Sequence, residues 1–294
     1  MTKHWRLGAL PLSALVLSAL LAGCAPLESR DGYRVDHGHP SSAHDSRVRQ
    51  LILHYTHEDE ATSLSILTGP RVSSHYLLPV PARQGEHRVY QLVDESRRAW
   101  HAGASHWRGQ SGLNATSIGI EIVNAGPERG ADQRRWAPYP DAQIDTLIAL
   151  LRDIAARHDI APDDILGHAD VAPERKVDPG PAFPWKRLHE AGIGAWPDAD
   201  EVAHYRRRFA TRPPDLTTFQ QALAEWGYTL PPSGRLDERT RAVLRAFQMH
   251  FRPADYRGRP DIESAARLWA LLAKYHPEAL ARLESQTPAA ELSR

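Results

Sequence analysis

Between Val48 and Tyr55 the chain carries Leu51-Ile52-Leu53 with no polar interruption, and a strand can do that only when both of its faces are covered. A second run, Ser117 to Val123, is rich in isoleucine and valine in the same way, and Ser74 to Leu78 and Arg88 to Val93 are further strand candidates. Covered strands need helices to cover them. Asp59 to Thr68 reads as a helix stopped by Gly69 and Pro70. The clearest helix starts near Asp141, where Ile144, Leu147, Ile148, Leu151, Ile154 and Ala155 recur at spacings of three and four and form one apolar stripe. Pro162 is expected to end it, and Ile165-Leu166 to form a short strand leading into Gly167-His168. The expected fold is α/β, a mixed central sheet flanked by helices.

The regions on either side read differently. Lys3 and Arg6 precede an apolar stretch from Leu7 to Leu21, roughly fifteen residues and shorter than the about twenty needed to span a bilayer, so residues 1–23 have the build of an export signal. The stretch ends in Leu21-Ala22-Gly23-Cys24, which resembles the bacterial lipobox, and that resemblance implies acylation of Cys24 and a lipid anchor. Ala25 follows, and in lipoproteins of Gram-negative bacteria the lack of Asp there implies sorting to the outer membrane, here its periplasmic face. Cys24 is the only cysteine, so no internal disulfide can form.

Residues 24–47 are polar, with Gly32, Gly38 and Pro40, and read as a tether whose His37, His39 and His44 are solvated. The α/β domain is expected over 48–204, and an arginine-rich linker with Arg212-Pro213-Pro214 over 205–214. Helical patterns at Leu216 to Trp226, Asp237 to His250 and Ile262 to Tyr275 point to a small all-α three-helix domain over 215–285, with 286–294 as a tail.

The 36 basic and 36 acidic side chains cancel, so no global field draws this chain to nucleic acid. Three segments each end an apolar run with a possible metal ligand: Leu53-His54-Tyr55-Thr56, Gly167-His168-Ala169-Asp170 and Lys176-Val177-Asp178-Pro179-Gly180. Two imidazoles and a carboxylate leave the fourth position of a tetrahedral zinc open, the arrangement of catalytic sites. With 16 histidines in the chain, residue type alone does not select these three.

The order of the motifs does. His54-Tyr55-Thr56, Ser73-Ser74-His75-Tyr76, Trp100-His101-Ala102-Gly103, the run Asn114 to Asn124, and Gly167 to Pro173 through Asp178-Pro179-Gly180-Pro181 together resemble the zinc-dependent N-acetylmuramoyl-L-alanine amidases, whose fold is shared with peptidoglycan recognition proteins. The resemblance covers about residues 48 to 190. It implies one Zn2+ per chain held by His54, His168 and Asp178, and hydrolysis of the amide joining N-acetylmuramic acid to the L-alanine of the stem peptide. It also implies Glu121 as the group that takes a proton from water and passes it to the leaving nitrogen, and Lys176 as a positive charge for the oxyanion. Four further positions are matched to the substrate. His75 either assists the water or lines the cleft, Trp100 and His101 shape the groove (with a core role for Trp100 the alternative), and Asn114 either bonds the substrate or braces a turn. The helical domain, through Phe219-Gln220-Gln221-Ala222-Leu223 and Gly234-Arg235-Leu236-Asp237, resembles a peptidoglycan-binding module. The implied partners are peptidoglycan and muropeptides, met by a monomeric, outer-membrane-anchored enzyme. A protein of this fold that binds muropeptides without cutting them is the rival reading; a zinc peptidase lacks its His-Glu-x-x-His helix.

Overall fold

The computed structural model describes residues 27–82, 88–128 and 135–286. The export signal, Cys24 and the tail beyond residue 286 lie outside them. The chain divides at Asp45 and Ser46 into two compact units. In the first, β1 (Glu28–Arg30) and β2 (Tyr33–Val35) form an exposed antiparallel hairpin, where the sequence leads one to expect an irregular tether.

The second unit is built on a five-stranded sheet. Its strands are β3 (Gln50–Tyr55), β4 (Tyr76–Leu78), β5 (Tyr90–Gln91), β8 (Ser117–Ile122) and β9 (Ile165–Gly167), in the order β5-β4-β8-β3-β9. All neighbours run parallel except β5, so the sheet is mixed as expected. A small hairpin, β6 (His106–Trp107) with β7 (Gln110–Ser111), stands beside it. The expected strands at Ser74 to Leu78 and Arg88 to Val93 shrink to three and two residues.

Alternation along the strands divides the labour of the two faces. Leu51 and Leu53 of β3 and Ile118, Ile120 and Ile122 of β8 pack against α2 (Asp141–His158), whose Ile144, Leu147, Leu151 and Ile154 meet them. Each such side chain contributes about 1.5–3 kcal/mol on burial. Asp159 ends α2 with φ 54, a left-handed cap, so the helix stops before Pro162 is reached and that proline opens a 3-10 turn instead. The opposite face carries Ile52 and His54 from β3 and Ser117, Gly119 and Glu121 from β8. Ile52 packs there into a different core, and this explains why the run 51–53 is apolar throughout.

Of the other helices, α1 (Glu60–Leu67), α3 (His168–Val171) and α4 (Trp185–Glu190) belong to the sheet region. Then come α5 (Ala199–Thr211), α6 (Leu216–Trp226), α7 (Glu238–Phe251), α8 (Ile262–Tyr275) and α9 (Pro277–Gln286). Aspartates 59, 215, 237 and 261 cap α1, α6, α7 and α8, each accepting from the backbone N–H three residues on. One expectation is corrected here. Residues 205–211 are the end of α5 and not a linker: Val202, Tyr205 and Phe209 are buried, with Phe209 edge-on to Trp269 at 5.1 Å. The expected all-α helical region is present as α6, α7 and α8, with α9 following them, and it shares one core with the sheet region. Ile52, Trp107, Leu166 and Val171 lie in the same cluster as Phe219, Trp226, Phe247 and Trp269. Among the described residues no helix is long and apolar enough to cross a membrane.

Candidate active site

Parallel pairing puts His54 opposite Glu121 and Leu53 opposite Gly167, so that the C-terminal ends of β3, β8 and β9 deliver three polar groups to one edge. His168 is the first residue of α3, and the chain then returns so that Ala169 N–H donates to the Asp178 carbonyl at 2.8 Å. The side chains of His54, His168 and Asp178 are buried together. His54 Nδ1 lies 2.9 Å from His168 Nδ1, and each lies 3.0 Å from Asp178 Oδ2. Among the described residues this is the one group of three or more such side chains able to hold a metal.

The surrounding hydrogen bonds decide what that triangle holds. His168 Nε2 donates to the Ala102 carbonyl at 3.1 Å. His54 Nε2 faces His101 Nδ1 at 3.0 Å, His101 Nε2 reaches Ser117 Oγ at 3.2 Å, and Ser117 Oγ donates to the Leu113 carbonyl at 2.6 Å. Read from the fixed carbonyl backwards, each proton has one place: Ser117 O–H points to Leu113, His101 Nε2–H to Ser117, and His54 Nε2–H to His101. Both Nδ1 atoms are thereby left as lone pairs facing each other and a carboxylate oxygen. Burial and then the neighbouring His168 hold His54 down to about 4, so it is neutral at pH 7. Burial opposes ionisation of Asp178, but His168 and His54 outweigh it and keep this carboxyl below the usual range. A cation resolves the conflict. Ligand atoms about 2.0–2.1 Å from a tetrahedral zinc stand roughly 3.3 Å apart, close to the triangle seen, and the two-His, one-carboxylate set suits that metal.

Glu121 lies half-buried beside the triangle, and its Oε2 is buried with no hydrogen-bond partner. Burial first, and the Asp178 charge second, push its carboxyl well above the usual value, while Lys176 works the other way. Lys176 is half-buried and makes no ion pair among the described residues. Its neighbour Arg175, which sequence reasoning passed over, instead holds the Ala102 and Ala104 carbonyls and approaches His168 Nε2 at 3.2 Å.

The four positions matched to substrate separate. Trp100 is 54% exposed with the Arg98 guanidinium over its ring at 4.3 Å, so the core alternative for it falls away. His101 is half-buried, and both of its nitrogens are engaged in the chain behind His54. His75 is buried and equally committed: Nδ1 accepts from Gly119 N–H at 3.0 Å and Nε2 donates to the Arg97 carbonyl at 3.1 Å, leaving no nitrogen for water or substrate. Asn114 Oδ1 accepts from the N–H groups of His101 and Ala102 at 3.1 and 2.8 Å, so it braces the backbone behind the site. One signal of this inner layer was present in the sequence: Gly119, inside an otherwise β-branched strand. A Cβ there would meet the His101 ring at 2.4 Å.

Comparison with known proteins gives the family. Residues 44–181 match the profile of the N-acetylmuramoyl-L-alanine amidases, and residues 212–268 that of a putative peptidoglycan binding domain. Over 268 residues the chain is 47% identical to the N-acetylmuramoyl-L-alanine amidase AmiD of Escherichia coli (strain K12), covering 89% of this chain and 97% of that protein. The chain belongs to the N-acetylmuramoyl-L-alanine amidase family. Two solved structures share its fold. That of E. coli AmiD, in complex with the substrate anhydro-N-acetylmuramic acid-L-Ala-D-gamma-Glu-L-Lys, is 45% identical with a TM-score of 0.74 and covers 85% of this chain and 98% of its own. That of AMPDH3 from Pseudomonas aeruginosa is 42% identical with a TM-score of 0.76, covering 82% and 98%. This amidase is therefore a peptidoglycan-cleaving enzyme with a mixed α/β fold and a helical C-terminal region.

Proposed function

We propose that this amidase is zinc-dependent, that it cuts the amide between N-acetylmuramic acid and L-alanine, anhydro-muramyl peptides included, and that it works from the periplasmic face of the outer membrane on a lipidated Cys24. The observation that carries the metal is the triangle of two Nδ1 lone pairs and one carboxylate oxygen within 3.0 Å. Zinc held there by His54, His168 and Asp178 would supply Lewis acidity. The substrate class follows from the relatives, one of which was solved with an anhydro-muramyl tripeptide. The anchor rests on the Leu21-Ala22-Gly23-Cys24 motif alone.

The chain's own groups divide the remaining work. Glu121 Oε2, unpartnered and beside the ligands, takes the proton of the attacking water. Its raised affinity for protons suits it to hold that proton until the leaving nitrogen needs it. Lys176, unlike Arg175, has an ammonium without an ion pair among the described residues and is the group we assign to the oxyanion, a contact commonly worth about 2.7–4 kcal/mol. Trp100, exposed and next in sequence to His101, offers a flat apolar face for a sugar or peptide.

The test uses purified protein and a defined anhydro-muramyl peptide, with products identified by mass. Release of the intact stem peptide should stop on chelation and return with zinc; unchanged release after verified metal removal would overturn the reading. Acyl labelling of the wild type and of Cys24→Ala, with membrane fractionation, tests the anchor: equal labelling of both rules it out.

A further inference from the structure

Asp170 is a buried carboxylate two residues past the ligand His168, and it accepts three hydrogen bonds. One is local, from Gly167 N–H at 2.8 Å, which ties the first turn of α3. The other two come from the helical region: Tyr228 Oη donates to Oδ1 at 2.7 Å, and His250 Nδ1 donates to Oδ2 at 2.8 Å. His250 is itself fixed, stacked on Trp185 at 3.7 Å, and the Tyr228 ring stands edge-on to Trp107 at 5.2 Å. A second contact reaches the other ligand of this segment. Trp136 Nε1 donates to Tyr256 Oη at 3.0 Å, and the Trp136 ring lies against Gly180, two residues past Asp178; at φ +83 and with the ring 2.5 Å from where a Cβ would be, no other residue fits there without strain. The segment that supplies two of the three ligands is thus held from both ends by residues of the helical region.

We infer that the helical region positions the metal site: Tyr228 and His250, acting through Asp170, fix α3 and so the direction of the His168 lone pair. They touch neither metal nor substrate and are positioning residues. A wall-binding module joined by a linker needs no buried carboxylate shared with the catalytic strand ends, and its helices need not enclose Ile52 and Leu166 in their own core. A misaimed ligand weakens metal binding, and groups behind a ligand commonly change affinity about 10–100-fold.

The inference rests on zinc occupying the triangle, and the experiment separates the two. The full chain, Tyr228→Phe, His250→Gln and a control, Leu272→Ala, which loosens the helical core at a site with no bond to Asp170, are stripped of metal. Each is then titrated with zinc against a chromogenic chelator, with folding checked by circular dichroism and melting. Tyr228→Phe removes one hydroxyl and keeps the ring, so it is the variant that should stay folded. The expected result is about ten-fold weaker zinc binding by folded Tyr228→Phe and His250→Gln, activity restored by excess zinc, and wild-type affinity in Leu272→Ala despite a lower Tm. Wild-type affinity in folded Tyr228→Phe overturns the inference, as does equal weakening in Leu272→Ala. If the wild type itself takes up no zinc, the metal reading has failed instead.

Discussion

The hydroxyl of Tyr228 ends on the carboxylate of Asp170 at 2.7 Å, joining two residues that are 58 apart in sequence and lie in regions matched by two different family profiles. The bond is buried, and around it the sheet region and the helices share apolar core. Truncation after Pro214 should therefore do more than remove a wall-binding module. It exposes Ile52, Trp107, Leu166 and Val171 and strips Asp170 of two donors, so the shortened chain should lose cooperative unfolding and aggregate. Melting followed by circular dichroism checks this. A soluble, cooperatively melting, active fragment would show the two regions to be independent.

Glu121→Gln keeps the volume and removes the base. Zinc content should stay near that of the wild type while kcat falls by about 10²–10⁴, with KM little changed. Metal analysis beside steady-state kinetics on a defined muropeptide reads both. Since both nitrogens of His75 are spent on backbone groups, no histidine at that position stands ready to substitute.

Gly119→Ala should destabilise the protein by about 1–3 kcal/mol, because the added methyl drives into the His101 imidazole. Displacing that ring also breaks its bond to His54 Nε2, so zinc affinity should fall with stability. Denaturant melts with and without zinc measure both effects; a variant as stable as the wild type with full zinc affinity would contradict the packing described.

Acid stability has a separate origin. Glu95 is held at about 2 chiefly by hydrogen bonds from Arg157, aided by His158 and Tyr76 against the cost of burial. Its folded value is below the ordinary 4.5, so the stabilisation is full above about pH 4.5 and is lost as pH falls towards 2. Glu95→Gln should lower Tm at pH 7 and flatten the decline of Tm between those pH values. An unchanged slope would place the acid sensitivity elsewhere.

What the sequence disclosed follows from how locally each signal is written. β3, β8 and the stripe of α2 are legible because consecutive or helically spaced apolar residues report burial directly. The ligands became legible only as members of ordered motifs, since a lone histidine carries no such pattern. α5 stayed hidden because Arg206, Arg207 and Arg208 dominate its composition, although Val202, Tyr205 and Phe209 form its buried stripe. The motifs match His101, His75 and Asn114 to substrate by resemblance alone, leaving open whether His75 only lines the cleft and whether Asn114 braces a turn. Which way a ring nitrogen points depends on partners such as Ser117 and Gly119, and that choice is made in three dimensions. Asp170 with His250, 80 residues apart, leaves no local trace at all.

Gly119 and His101 occupy a single volume, and this makes them one heritable unit. A lineage that enlarges position 119 must shrink or lose the ring at 101, and with it the partner that orients His54. Random libraries at the two positions, selected for zinc retention, should accordingly recover them as a matched pair rather than as two independent choices.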